Sequence, residues 1–297
     1  MKVLVTGVGG QLGFDVINEL SKRNHQVISS DILENASIIS EIKYVQLDIT
    51  NKNVVEKVIT FERPDAVIHC AAWTAVDLAE DEDKQEKVFS INADGTRYIA
   101  EVCKKIDCKM IYISTDYVFN GQGIEPWKED CKEYAPLNVY GKSKLQGELA
   151  VAEILEKYFI VRIAWVFGVN GNNFIKTMLN VGKRFAELRV VNDQIGTPTY
   201  TYDLSRLLVD MIESEKYGYY HATNEGGYIS WYDFACEIFK QAGYETKVIP
   251  VTTDDYGLSK AKRPFNSRLD KSKLIANGFK PLPSWQDALS RYLKERF

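Results

Sequence analysis

Short, nearly continuous apolar runs at residues 3–6, 26–30, 44–47, 66–70, 110–114 and 159–165 alternate with longer stretches of helical periodicity at 11–23, 52–61, 84–105 and 137–157. Apolar runs of this length, too uniform for a strand with one wet face, predict parallel strands covered on both sides by the intervening helices. The chain therefore reads as α/β, a Rossmann-type doubly wound parallel sheet. After Gly168 the rhythm weakens, although 204–214 and 231–242 still carry helical spacing. This divides the chain into a dinucleotide-binding domain over 1–168, to which later segments return, and a smaller substrate-binding lobe over 169–297, partly interleaved with it.

Composition narrows the class of function. With 297 residues, 45% of them hydrophobic and 26% charged, the chain is long enough to bury a large core. Lys and Arg total 37 against 41 Asp and Glu, a formal charge of -4, so no general attraction to nucleic acid or to an anionic membrane is expected. The apolar runs are shorter than the roughly 20 residues that cross a bilayer. The opening Met1-Lys2-Val3-Leu4-Val5 leads straight into the first strand without a leader pattern, which predicts a cytoplasmic protein. Cysteines at 70, 103, 108, 131 and 236 form no C-x-x-C, and His25, His69 and His221 cluster with nothing, so no metal ligands are nominated. Glu and Asp are too plentiful for a Mg2+ site to be read from sequence.

Thr6-Gly7-Val8-Gly9-Gly10-Gln11-Leu12-Gly13 falls between the first strand and the first helix. Glycines there let the backbone approach a pyrophosphate, which rests on the helix N-terminal N–H groups. Within a complete βαβ unit, Gly7, Gly10, Gln11, Leu12 and Gly13 are candidate cofactor residues. Asp31 ends the second strand, where a carboxylate accepts hydrogen bonds from the adenosine ribose and repels a 2′-phosphate; of NADH or NADPH it favours NADH. An Asp at a strand end also serves as a turn residue. Asp48-Ile49 ends the third strand and either touches the adenine edge or caps the helix that begins near Lys52.

Tyr140-Gly141-Lys142-Ser143-Lys144 places a phenol and an ammonium four residues apart, on one face if the segment is helical. A phenol that exchanges a proton with a carbonyl near neutral pH benefits from such a cation. By spacing alone the pair is an ordinary helical coincidence. Downstream of a dinucleotide loop, with Ser114-Thr115-Asp116-Tyr117 at a strand end, it becomes a catalytic candidate, because sheets of this kind place their chemistry beyond the strand carboxyl ends.

Together with Ala71-Ala72-Trp73-Thr74-Ala75-Val76-Asp77, Val118-Phe119, Asn138-Val139, Asn172-Asn173-Phe174, Arg263-Pro264 and Asn266-Ser267-Arg268-Leu269, these stretches resemble the extended short-chain dehydrogenase/reductase family over essentially the whole chain. The resemblance implies an NAD(P)H-dependent oxidoreductase that reduces the C4 keto group of a dTDP-linked 4-keto-6-deoxy sugar, yielding dTDP-L-rhamnose. It implies that Thr115 hydrogen-bonds the carbonyl, that Tyr140 transfers the proton, and that Lys144 holds the nicotinamide ribose and favours the tyrosine's ionisation. Ala72, Trp73 and Thr74 would line the cofactor, Asp116 and Trp165 would touch the sugar, and Asn173 and Arg263 would face the nucleotide end. Trp73 stands where the family more often has a smaller aromatic or His. Without the resemblance Trp165 reads as a core aromatic at a strand end, and Asn92 either holds a water in the proton path or packs a helix. An epimerase of the same family, or a non-catalytic dinucleotide-binding subunit, shares the glycine loop. The expected assembly is a monomer or homodimer.

Overall fold

The structure, a computed structural model, describes residues 1–34 and 42–296. The first half runs β1 (Lys2–Thr6), α1 (Gln11–Lys22), β2 (Gln26–Asp31), β3 (Lys43–Gln46), α2 (Lys52–Glu62), β4 (Ala66–His69), α3 (Glu82–Phe89), α4 (Gly95–Lys105), β5 (Lys109–Thr115), α5 (Val139–Ile154) and β6 (Tyr158–Ile163). The second half adds β7 (Val166–Phe167), α6 (Phe174–Gly182), β8 (Glu187–Val191), β9 (Ile195–Gly196), β10 (Thr199–Tyr200), α7 (Thr201–Ile212) and β11 (Gly218–His221). It closes with β12 (Ile229–Ser230), α8 (Trp231–Ala242), β13 (Lys247–Val251), α9 (Thr253–Tyr256), α10 (Ser272–Ala276) and α11 (Trp285–Arg296).

Among the described residues, seven strands form one sheet in the order β11-β6-β5-β4-β1-β2-β3, parallel throughout. The order reverses between β1 and β4, and the crevice beyond the carboxyl ends of those strands is where such sheets bind ligands. Each face is sealed by its own core. Val3, Val5, Ile68, Ile111 and Val161 pack under α1 and α7, while Leu4, Val67, Met110, Tyr112 and Ile160 pack under α2, α4 and α5. The alternation along β1 and β4 shows why these strands are apolar at every position: both neighbours are dry. A third core of Phe167, Ile175, Tyr200, Phe234, Leu289 and Tyr292 joins α6, α8 and α11, beside the parallel pair β8 and β13. The chain leaves the sheet after β6, returns as α7 and β11, and leaves again.

Two expected elements differ in a way that matters for the site. The single helix anticipated over 84–105 is α3 and α4 joined by a π turn over Ser90–Asp94. Asn92 sits in that turn, with its carbonyl oxygen accepting from the Tyr112 and Thr96 hydroxyls. The last strand, expected to run to Trp165, ends at Ile163 because Trp165 has φ +50, outside the extended region.

Candidate active site

The glycine loop is shaped by close backbone approach. Gly7 has φ +71, and a Cβ there would lie 2.6 Å from the Ala71 nitrogen. A Cβ on Gly13 would collide with the Gly7 carbonyl oxygen. Gly10 caps α1 without a side chain, and no acid occupies the first turn, so the positive helix end faces the cleft unobstructed. The missing side chains let the loop, the start of α1 and the segment after β4 close on one another, a backbone shape that fits a dinucleotide pyrophosphate. Gly13→Ala is expected to weaken NADH binding by about tenfold or more, read by fluorescence titration; unchanged affinity would reject the cradle.

Asp31 closes the loop from β2. Its Oδ2 accepts from the Gly9 N–H at 3.0 Å and its Oδ1 from the Ile32 N–H at 2.8 Å, so ribose binding would add to a turn role. Asp48 accepts from the Thr50 N–H and hydroxyl at 2.9 and 2.7 Å, whereas the cap of α2 is Asn51. The helix-cap alternative for Asp48 is thereby corrected: one acceptor already serves each site. Asp48 and Ile49 both border the cleft.

A cleft of about 960 Å³ runs from the glycine loop across the carboxyl ends of β4, β5 and β6. Its walls include Gly7, Gly10, Gln11, Leu12, Gly13, Asp31, Ala72 and Thr74 at one end, Thr115, Asp116, Tyr140 and Lys144 in the middle, and Trp165 with Trp231 at the other. α5 is seated by Asn138, which caps it through the Gly141 N–H at 2.8 Å and donates to the Lys262 carbonyl at 2.8 Å. Gly141 permits α5 to touch the turn after β5, since a Cβ would strike the Tyr117 carbonyl.

Burial sets the electrostatics of the central group. It pushes the Tyr140 phenol above its ordinary value, the Asp116 charge adds to this, and a hydrogen bond with the Thr115 hydroxyl opposes it. It brings the Lys144 ammonium down to about 7, against the attraction of Glu148 and Cys70. The Lys144 Nζ rests 4.0 Å from the centroid of the Tyr112 ring, a cation–π contact that favours the charged form. Behind them His69, hydrogen-bonded to Thr6 at 2.7 Å and Thr96 at 3.1 Å, is held neutral by burial, its value falling to about 3. The enclosure thus keeps a protonated phenol and a labile ammonium side by side.

Several residues nominated from the sequence occupy other places. Trp73 does not border the cleft: its Nε1 donates to the Ala75 carbonyl at 3.0 Å, and its ring packs with Ala79, Val88 and Tyr140. Asn92 fixes the Trp73 backbone by accepting from its N–H at 2.8 Å and donating to its carbonyl at 3.1 Å, and it also donates to the Ser143 hydroxyl at 2.9 Å. These bonds give Asn92 a packing role that ties the segment after β4 to α5. Asn173 also lies off the cleft, because its side chain caps α6 and donates to the Gly168 carbonyl at 2.8 Å and Gln11 Oε1 at 3.1 Å; its neighbour Asn172 borders the cleft instead. Arg263 is likewise set back, its guanidinium making a two-pronged pair with Asp77 at 3.1 and 2.7 Å.

Trp165 is a wall residue rather than core. Its positive φ is rare for so bulky a side chain and is retained by stacking on Trp231, with centroids 3.7 Å apart and planes 16° apart. Trp231 was not nominated from the sequence; at the head of α8, beside the capping box of Ser230 and Asp233, nothing local distinguishes it from a core aromatic. Among the described residues no three His, Cys, Asp or Glu side chains converge as a metal site, and no helix is long and apolar enough to cross a membrane.

Known proteins resemble this chain over its whole length. The family described as RmlD substrate binding domain matches residues 1–297. A spore coat polysaccharide biosynthesis protein, SpsK, of Bacillus subtilis is 39% identical over 99% of this chain and 98% of its own. A crystal structure of a dTDP-4-dehydrorhamnose reductase from Clostridium acetobutylicum is 41% identical, with TM-score 0.91 over 100% of this chain and 99% of that one. The Bacillus anthracis dTDP-4-dehydrorhamnose reductase, solved with NADP, is 41% identical with TM-score 0.90 over 99% of both chains.

Proposed function

The chain belongs to the RmlD substrate binding domain family, that of the dTDP-4-dehydrorhamnose reductases, and from this premise we propose that Tyr140, Thr115 and Lys144 carry its reaction. The protein is a nicotinamide-dependent oxidoreductase that reduces the C4 keto group of dTDP-4-dehydro-6-deoxy-L-mannose to give dTDP-L-rhamnose. The observation that carries the residue assignment is the single cleft in which a glycine cradle, a phenol–ammonium pair and an aromatic wall lie in series.

Gly7, Gly10, Gln11, Leu12 and Gly13 hold the pyrophosphate, Asp31 the adenosine ribose, and Asp48 and Ile49 the adenine side. Ala72 and Thr74 flank the nicotinamide, Trp73 contributes through its backbone position, and Lys144 binds the nicotinamide ribose. When bound, this cofactor supplies hydride. Tyr140 gives its phenolic proton to the sugar O4, and Thr115 donates to the same oxygen as charge develops on it. The Lys144 ammonium lowers the cost of the phenolate left behind. Trp165 and Trp231 present an apolar face to the sugar ring, with Asp116 beside it. For Arg263 to meet the diphosphate, a phosphate oxygen must take the place of one Asp77 oxygen, which Arg's forked geometry permits.

Asp31 favours NADH in this reading, because a 2′-phosphate would meet a carboxylate already engaged with the Gly9 N–H. Asp31→Ser is expected to raise NADPH use relative to NADH by about tenfold, measured as the ratio of kcat/KM values; an unchanged ratio would exclude Asp31 as the selector. The activity itself is tested by incubating the purified protein with the enzymatically prepared 4-keto sugar nucleotide and each cofactor. Oxidation of NADH or NADPH with formation of the 6-deoxy sugar is expected, and failure with both would overturn the assignment.

A further inference from the structure

We propose that Asn170 is a positioning residue for the cofactor: its amide clasps two carbonyls of the glycine loop and so aims the N–H groups that follow them at the pyrophosphate. The proposal rests on the glycine cradle described above and concerns what holds that cradle in shape.

Gly9 and Gly10 are adjacent in the loop, and neither has a side chain to restrict its backbone. Hydrogen bonds supply the restriction. The Gly9 N–H donates to Asp31 Oδ2 at 3.0 Å, and the Gly10 N–H donates to the Gly7 carbonyl at 3.1 Å. Both carbonyls accept from Asn170, 161 and 160 positions away, whose Nδ2 lies 2.9 Å from the Gly9 oxygen and 3.2 Å from the Gly10 oxygen. The nitrogen end of the amide carries two hydrogens, so one side chain serves both acceptors. A trans peptide sets its N–H opposite its C=O. With the Gly10 carbonyl drawn toward Asn170, the Gln11 N–H is turned away from it. That N–H is the first of α1, has no partner within its own helix, and belongs to a residue that borders the cleft. It is the kind of donor on which a dinucleotide pyrophosphate rests.

The clasp is itself held in place. Asn170 lies between β7 and α6, in the segment by which the chain leaves the sheet for the third core. Lys176 on α6 donates through Nζ to the Val169 carbonyl at 2.6 Å and to the Gly171 carbonyl, one on each side of Asn170. Gly171 has φ +70, and a Cβ there would lie 3.2 Å from Gln11 Cγ, so glycine lets the segment close against the start of α1. Asn173 completes the grip by donating to Gln11 Oε1 at 3.1 Å. One short segment thus holds Gly9, Gly10 and Gln11, where the loop becomes the helix. Asn170 does not border the cleft, so its effect on the cofactor passes through the loop backbone.

Without the clasp the two glycines regain conformational freedom, and cofactor binding has to order them. The cost falls on affinity. The chemistry is spared, because Thr115, Tyr140 and Lys144 stand farther along the cleft on β5 and α5.

The test measures NADH affinity by fluorescence titration, KM for NADH and kcat with the keto sugar, and the melting temperature, in the wild type and three variants. Asn170→Ala removes both bonds, so Kd and KM for NADH should rise about three- to tenfold, with kcat at saturating cofactor changed by less than about twofold. Asn170→Asp keeps the size but has no hydrogen to give, and its charge faces two carbonyl oxygens; the rise should be at least as large. Asn170→Gln retains the amide on a longer stem and should recover part of the affinity. Affinities of the Ala and Asp variants within about twofold of the wild type would overturn the proposal. So would a fall in kcat at unchanged KM, or an affinity loss that Gln does not relieve and that tracks a lowered melting temperature. If Gly13→Ala also binds NADH as the wild type does, the cradle itself fails rather than the clasp alone.

Discussion

Tyr140→Phe is expected to lower kcat by a factor of about 10² to 10⁴ while leaving NADH affinity nearly unchanged. The substitution keeps the ring, which packs edge-on to Tyr117 with centroids 5.8 Å apart, and deletes only the hydroxyl proposed to give the proton. Cofactor affinity should survive because the glycine cradle and Asp31 lie at the other end of the cleft. Steady-state oxidation of NADH with the keto sugar, together with fluorescence titration of the cofactor, reads both quantities. Turnover near that of the wild type would remove Tyr140 from the chemistry, and loss of NADH binding would mark it as a cofactor ligand instead.

Glu148→Leu is expected to destabilise the fold by about 3–5 kcal/mol. Glu148 and Arg162 are both fully buried and are joined at 2.7 and 2.9 Å. The guanidinium also donates to the Tyr134 hydroxyl at 3.1 Å and stands 4.9 and 4.8 Å from the ring centroids of Phe119 and Tyr219. Its contact with His221 at 3.4 Å meets an imidazole that burial keeps neutral. Removing the carboxylate leaves a charge in this enclosure with neutral partners alone. Urea unfolding should register the loss, and Glu148→Leu combined with Arg162→Met should recover much of it, because an apolar pair carries no stranded charge. A single variant as stable as the wild type would show that Arg162 finds another counter-ion. Glu148 also lies four residues beyond Lys144 on α5 and favours its ammonium, so the folded fraction of the single variant should turn over more slowly.

The legible part of this protein is the part encoded by neighbours in sequence. Apolar runs separated by helical stretches predict a parallel sheet, and β1 to β6 lie where those runs are, with ends shifted by a residue or two. The glycine loop is legible for the same reason: Gly7, Gly10 and Gly13 act on one another's backbone, and a Cβ on Gly13 would strike Gly7 itself. Tyr140 and Lys144 share a helix. The π turn at Ser90–Asp94 escaped because one residue inserted in a helical run leaves the apolar spacing nearly intact.

The sequence by itself determined the layered α/β architecture, the position of the glycine loop and the spacing of Tyr140 and Lys144, since each follows from periodicity or from contacts a few residues apart. Only the tertiary structure decided which polar groups were already committed. Asp77 and Arg263, 186 positions apart, meet as an ion pair, and Asn173 reaches back 162 positions to Gln11. Trp165 became a cleft wall through a strained backbone and a partner on α8, and Asp116, bonded to Thr115 through Oδ1, was left with its buried Oδ2 unpartnered by the enclosure around β5. Burial and long-range pairing set the charge, orientation and availability of a side chain, and neither is fixed until distant segments have packed together.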